Sequence, residues 1–332
     1  MRTKIIALEE HLLTPEVTSA WAGLDARHHD DAVPYYYRGE IEERLLDLSD
    51  LRLQRMDEIG IDVQVLSLTT PGLQGLEPDL AVQLARQTND LIAQVVRRNP
   101  ERFQGFAVLP TPDPQAAADE LRRAVGELGL RGAMVFGRTR ERNFDHPDNE
   151  PIFAAANELR APLYLHAQIP PRPVRDAYYS GLPGNFDLTL ATVGAGWHYE
   201  AGLQFLRLVL AGVFDRHPHL QIILGHWGDM LVFYLEEVDK IPRLARTDHR
   251  PISEYFKRHA YVTPSGVLSS RYLRWAIEVL GVDRLMFSLD YPFAPRSRED
   301  VTGFLEQAGL DHADQDKIAF ANWESLAAQI RG

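Results

Sequence analysis

Short apolar runs rich in β-branched residues alternate along this chain with longer stretches of helical period. The runs fall at Lys4–Leu8, Val63–Ser67, Phe103–Leu109, Ala133–Phe136, Pro162–His166, Leu220–His226, Ala260–Thr263 and Leu285–Asp290. They are apolar on both faces, as strands buried in a parallel sheet are. Between them, apolar positions recur at helical spacing over Pro78–Arg98, Pro114–Leu128, Asn149–Arg160, Glu200–Arg216, Met230–Ala245 and Ser269–Leu280. Asp113 is suited to an N-cap, with Pro114 at the first helical position. Strands alternating with helices predict right-handed βαβ units, and eight of them predict closure into an α/β fold of the (β/α)8 TIM-barrel type. No G-x-G-x-x-G motif follows the first run, which disfavours a dinucleotide fold.

Two segments interrupt the alternation. Residues Thr14–Leu48, after strand one, contain Trp21, His28-His29-Asp30-Asp31 and Tyr35-Tyr36-Tyr37. Residues Ala167–Trp197, after strand five, contain Pro170-Pro171-Arg172-Pro173 and several glycines. Both emerge at the carboxyl ends of strands, where barrel enzymes build their sites, and are expected to serve as lids or substrate walls. With no linker, repeat or low-complexity tract, residues 1–332 are expected to form a single metal-dependent barrel domain.

Composition narrows the function. The chain is 45% hydrophobic and 25% charged, ordinary values for a globular protein. The absence of cysteine excludes thiolate metal sites and cysteine nucleophiles and fits a reducing compartment. A formal charge of −12 repels phosphate backbones, so no nucleic-acid partner is expected. The amino end turns charged after four apolar residues, and no stretch approaches the length of a membrane span. The expected location is therefore the cytoplasm, with no membrane partner.

The placement of polar residues is the most informative feature. Glu9 and His11 follow the first run, His166 ends the fifth, His226 the sixth and Asp290 the eighth. In extended chain, residues two apart project to the same side, so Glu9 and His11 are expected to face one point with Glu10 turned away. In a closed barrel all five groups surround a single cavity. Carboxylates and imidazoles meeting there suit one divalent cation, Zn2+ or Mn2+; zinc would use fewer oxygens, and manganese accepts this mixture readily.

The same residues carry a family resemblance. Ala7-Leu8-Glu9-Glu10-His11, Arg102 to Pro110, Pro162-Leu163-Tyr164-Leu165-His166, Ile222 to Asp229 and Phe287-Ser288-Leu289-Asp290-Tyr291-Pro292-Phe293 occur in an order that resembles the amidohydrolase superfamily. The chain is similar in particular to its aromatic-acid decarboxylase branch, which includes the γ-resorcylate, 2,3-dihydroxybenzoate, 5-carboxyvanillate and aminocarboxymuconate-semialdehyde decarboxylases. The E-x-H opening resembles the hydroxybenzoate decarboxylases, whereas hydrolases of the wider group usually open with H-x-H.

The resemblance implies that Glu9, His11, His166 and Asp290 hold the metal. It also implies that Asp290 acts as general acid, and that His226, paired with Asp229, assists as an acid/base or substrate-orienting group. Asp229 stands where the family pattern has Glu. Leu235-Glu236-Glu237-Val238 replaces a stretch in which an Arg is usual, and Ala294 replaces an acidic residue.

The expected reaction is nonoxidative decarboxylation of a hydroxylated aromatic acid. The alternative is hydrolysis of an amide, lactone or C–C bond on the same scaffold. Retention of every ligand type argues against a third reading, a metal-free binding protein.

For substrate contacts, Phe293 follows a strand end directly, and Trp21 and Arg172 lie in the insertions. Arg172 or Arg175 could bind a carboxylate bidentately. The adjacent residues His28 to Asp31 point in different directions and read as a solvated loop. His217 and His219 precede strand six and read as structural. A homodimer or homotetramer is expected, with aromatic residues of the first insertion at an interface.

Overall fold

The computed structural model describes residues 3–25, 28–306 and 308–332. The first strand, Ile6–Leu12, pairs in parallel with the second, Val63–Leu68, and that with Phe103–Gly105. The third stave resumes after Phe106 as Ala107–Val108, which pairs with Ala133–Phe136. The ladder continues through Leu163–His166 and Ile222–Leu224 to Ala260–Val262.

The eighth stave departs from the regular strand predicted at Leu285–Asp290. Only isolated bridges form, Leu285 to Val262 and Tyr291 to Glu10. The physical reason lies in its polar end. The Leu289 N–H is donated to the Glu10 carboxylate at 2.9 Å, and Asp290 adopts φ 61°. The stave still closes the ring. Met286 N–H donates to the Val262 carbonyl at 2.9 Å, and Leu8 N–H donates to that of Phe287 at 3.0 Å. The predicted TIM barrel is the fold.

Ile6, Leu8, Val65, Phe106, Met134 and Ile223 fill the barrel interior. Trp323, from the last helix Asn322–Ala327, joins this cluster and donates its indole N–H to Gln104 at 2.8 Å.

The first strand is longer than predicted and contains a bulge. Ala7 lies opposite Gln64, but Glu10 lies opposite Leu66, so the first strand carries one residue more than its neighbour. Ile6 and Leu8 face inward. Strict alternation from them would send Glu9 and His11 outward. The extra residue reverses the parity, placing Glu10 beside the outward Leu66 and His11 beside the inward Ser67.

The helical predictions hold with changed ends. Pro78–Arg98 is as predicted, and Pro114–Gly126 is capped by Asp113, whose carboxylate accepts from Ala116 N–H at 3.0 Å. Glu150–Leu159 and Ser270–Leu280 also form. Gly196–Leu210 begins before the predicted Glu200 and stops at Gly212, whose φ of 70° precedes a separate turn, Val213–Arg216. The predicted Met230–Ala245 divides into Leu231–Val238 and Ile241–Leu244. The ring of Pro242 clashes with a helical carbonyl four residues back, at Val238. Helices at Asp50–Ile59, Ile252–His259 and Arg298–Glu306 lie outside the periodic stretches recognised in the sequence. No described helix is long and apolar enough to cross a membrane.

The two insertions touch each other. Tyr36 hydroxyl meets Thr192 Oγ1 at 2.9 Å, Tyr36 and Trp197 rings lie 5.7 Å apart, and Arg175 pairs with Asp31 at 2.5 Å. The aromatic residues expected to project from the first insertion do not. Trp21 and Tyr37 are buried, and Tyr35 and Tyr36 are half-buried. The exposed large apolar residues instead include Tyr178, Phe186, Val193, Tyr199 and Leu203, in and just after the second insertion.

Candidate active site

Glu9, His11, His166 and Asp290 each offer a ligand atom, and these atoms lie within 4.8 Å of one another. His166 Nε2 is 3.0 Å from Glu9 Oε1, and His11 Nε2 is 3.2 Å from Asp290 Oδ1. Each imidazole is oriented by its other nitrogen. His166 Nδ1 lies 2.8 Å from the Ala167 carbonyl, and His11 Nδ1 lies 3.3 Å from Ser67 Oγ. That leaves the Nε2 atoms turned toward the cluster, as in metal-binding histidines whose other ring nitrogen is held by a neighbouring oxygen.

Glu9 is held asymmetrically. Its Oε2 accepts from Tyr164 hydroxyl at 2.5 Å, from Ser288 Oγ at 3.3 Å and from Ser265 Oγ. Its Oε1 is buried with no hydrogen-bond partner, as is His11 Nε2. Buried polar atoms left unmatched are costly unless something satisfies them. Two orphaned ligand atoms within a set of two carboxylates and two imidazoles fit a divalent cation.

Charge supports the same reading. Burial alone would raise Glu9, but the adjacent His166 imidazole and the nearby His226 and His11 hold it well below the usual carboxylate range. Burial, joined by the charges of Glu9 and Glu10, pushes Asp290 well above that range. Burial, reinforced by His166, keeps His11 well below the ordinary imidazole value, and neutral imidazole is the form that binds metal.

His226 stands beside this cluster on a left-handed turn. His226, Trp227, Gly228, Asp229 and Met230 all have positive φ, a strained run of the kind concentrated at functional sites. His226 N–H donates to Ser265 Oγ at 2.9 Å, and Trp227 N–H to the Thr263 carbonyl at 2.9 Å. The preceding Gly225 cannot be larger: a Cβ there would lie 2.5 Å from Ser265 Oγ and 3.3 Å from both Glu9 carboxylate oxygens. His226 Nδ1 is 3.2 Å from Asp229 Oδ1, and its ring is 6.0 Å from that of His166. The shorter Asp side chain therefore comes within ion-pair distance of its histidine, though His226 Nδ1 is not aligned for a hydrogen bond with it.

The residues expected to contact substrate are placed differently from one another. The Phe293 ring lies 5.8 Å from His11 and 5.5 Å from Tyr37. Trp21 is one ring further out, 6.0 Å from Tyr37, with its indole N–H bound to the Gly72 carbonyl at 2.7 Å. It lines a separate hollow of about 350 Å3 within the first insertion. Arg172, by contrast, has its side chain 71% exposed on the short helix Arg172–Tyr178, with Asp176 at 4.0 Å as its charge partner.

The His28–Asp31 loop forms no cluster, since His29 bonds to the Leu24 carbonyl at 2.7 Å and Asp30 to Ala32 N–H at 2.8 Å. His217 is bound 2.6 Å from Glu150, a structural contact.

Sequence reading missed Tyr164, Ser265, Ser288 and His198, and it named Tyr37 only as part of the tyrosine run in the first insertion. Tyr164 and Ser288 were detectable, since each stands two residues before a ligand and shares its face of the stave. His198 carries no such signal, because it rides on a helix rather than a strand end.

The amidohydrolase family model matches residues 24–322. The γ-resorcylate decarboxylase of Rhodococcus jostii is 36% identical over 340 residues, covering 97% of each chain. The solved 5-carboxyvanillate decarboxylase of Sphingomonas paucimobilis superposes with a TM-score of 0.91 at 31% identity, covering 98% of this chain and 99% of that one. A dihydroxybenzoic acid decarboxylase from Polaromonas sp., solved with bound manganese and the inhibitor 2-nitroresorcinol, gives 0.81 at 33% identity over 98% and 97%. With the fold and a two-carboxylate, two-imidazole centre alongside these matches, the chain belongs to the amidohydrolase family, in its group of aromatic-acid decarboxylases.

Proposed function

We propose that this enzyme removes the carboxyl group of a benzoic acid bearing a hydroxyl ortho to it, using a site of Glu9, His11, His166 and Asp290. The observation that carries this reading is the pairing of unsatisfied Glu9 Oε1 and His11 Nε2 with a half-buried Asp290 carboxyl. The four side chains would hold one divalent ion. Manganese is favoured over zinc by the two carboxylates and by the manganese bound in the Polaromonas structure. Such an ion, when bound, stabilises negative charge on the substrate carboxylate and phenolate oxygens.

The protein supplies the rest. Phe293 and Tyr37 offer aromatic faces against which a ring can pack. Asp290 holds a proton next to the site and delivers it to the ring carbon that bears the carboxylate. Breaking the C–C bond then releases CO2 and restores the aromatic ring, so one proton enters as one CO2 leaves. His226, steadied by Asp229, orients the substrate's polar edge. The cysteine-free composition is consistent with cytoplasmic action.

The test is a panel of hydroxybenzoates, beginning with 2,6-dihydroxybenzoate, turned over by manganese-loaded enzyme in D2O. Decarboxylation should release CO2 and place deuterium on the carbon that carried it. Incorporation of 18O from labelled water with no CO2 would instead establish the hydrolase.

We further propose that the enzyme is a homodimer or larger assembly of even order. Tyr178 is 80% exposed and Phe186 63%, with Tyr199 and Leu203 one helical turn apart nearby in sequence. Exposed apolar residues grouped in this way favour a subunit interface. Light scattering at micromolar concentration should give at least twice the 37.6 kDa chain mass. Tyr199→Glu with Leu203→Glu should shift it to monomer.

A further inference from the structure

Outside the four-residue centre, the structure brings together a second set of titratable groups. His198 Nδ1 lies 3.4 Å from Asp229 Oδ1, the same oxygen that faces His226 Nδ1 at 3.2 Å. The two imidazole rings are 4.5 Å apart. Asp229 is fully buried, and its other oxygen has no hydrogen-bond partner. A buried carboxylate of this kind requires compensating charge.

His198 is equipped to supply it. Its second nitrogen, Nε2, lies 3.1 Å from the Val193 carbonyl, so each ring nitrogen faces an acceptor oxygen. Only the doubly protonated ring satisfies both. Burial opposes a charge there, but the Asp229 hydrogen bond and charge, the Val193 carbonyl and more distant Glu9 outweigh it and raise the imidazole above its ordinary range.

The helix carrying His198 is fixed on two sides. Gly202, one turn later, packs so closely that a Cβ would lie 2.4 Å from the Asp229 carbonyl oxygen. Glu200 pairs with the buried Arg138, whose guanidinium also donates to the Ile169 carbonyl at 2.6 Å. A glycine at 202 thus permits the approach that lets His198 reach the carboxylate.

We propose that His198 is a positioning residue for the decarboxylation: held as an imidazolium between Asp229 and the Val193 carbonyl, it anchors the Asp229 carboxylate and through it orients the His226 ring. This rests on the decarboxylase reading for the role of His226.

His198→Ala should lower kcat about tenfold, in the range found when an orienting partner is removed. KM and bound manganese should stay within twofold. His198→Gln, whose amide can still donate to Asp229, should recover most of the loss. In an Asp229→Ala background, His198→Ala should cost nothing further, because the two act as one unit. Full activity in His198→Ala, loss of manganese with it, or additive losses in the double variant would each overturn the proposal.

A measurement on the unsubstituted enzyme guards against a variant that fails to fold. Ring 15N shifts near neutral pH should show His198 protonated on both nitrogens, and a neutral ring overturns the inference. The shifts need no turnover. A doubly protonated His198 in an enzyme that releases no CO2 from any hydroxybenzoate would therefore count against the decarboxylase reading rather than against this arrangement.

Discussion

Asp290→Asn should lower kcat for CO2 release by about 10³-fold, within the range attributed to a positioned proton donor. The change is nearly isosteric. It keeps one oxygen that can face His11 Nε2, now 3.2 Å from Asp290 Oδ1, but has no carboxylic proton to give. Burial and the adjacent Glu9 raise the Asp290 carboxyl well above the normal carboxylate range, which favours the proton-bearing form that Asn cannot supply. Manganese should bind more weakly but remain measurable, since Glu9, His11 and His166 are untouched. Comparing kcat at saturating metal with metal content separates the two effects. More than a tenth of native kcat would remove Asp290 from the proton transfer.

Much of this site was legible because the barrel imposes a simple rule. A polar residue at the carboxyl end of a buried apolar run has one place to go, and Glu9, His11, His166, His226 and Asp290 all obey it. What escaped the sequence depends on information that period and composition do not hold. The bulge between Ala7 and Glu10 shows only in the pairing with Gln64 and Leu66. Without it the predicted inward projection of Glu9 and His11 would have been wrong. Strand eight looked regular because Leu285–Phe287 is apolar, yet Leu289 N–H serves the Glu10 carboxyl instead of a ladder. Arg172 sat in a suitable insertion, but a position in a loop says nothing about which way a long side chain turns. His198 fell between the predicted insertion and the predicted helix, and only the close packing at Gly202 brings it to Asp229.

The sharpest test of this geometry compares two adjacent and chemically identical residues. Glu9→Gln should weaken manganese binding by at least about 100-fold, more than the loss of an orienting neighbour produces, and activity should fall with it. The amide replaces a carboxylate whose one oxygen is saturated by Tyr164, Ser265 and Ser288 while the other faces the centre. Glu10→Gln should leave manganese binding and kcat within about threefold. Burial pushes Glu10 up to about 8, so at neutral pH it is largely a carboxylic acid for which Gln is a close substitute. Its carbonyl oxygen can still accept from Leu289 N–H, as the Glu10 carboxyl does at 2.9 Å.

The same shift fixes a pH dependence. Between the ordinary value of 4.5 and about 8, the unfolded chain releases a proton that the folded chain keeps. Folding stability therefore falls as pH rises through that window. Gln has no proton to lose, so the Tm of Glu10→Gln should gain on the native enzyme steadily from pH 5 to pH 8. Equal metal loss in the two variants would mean that the bulge does not separate them, and that both carboxylates belong to one site.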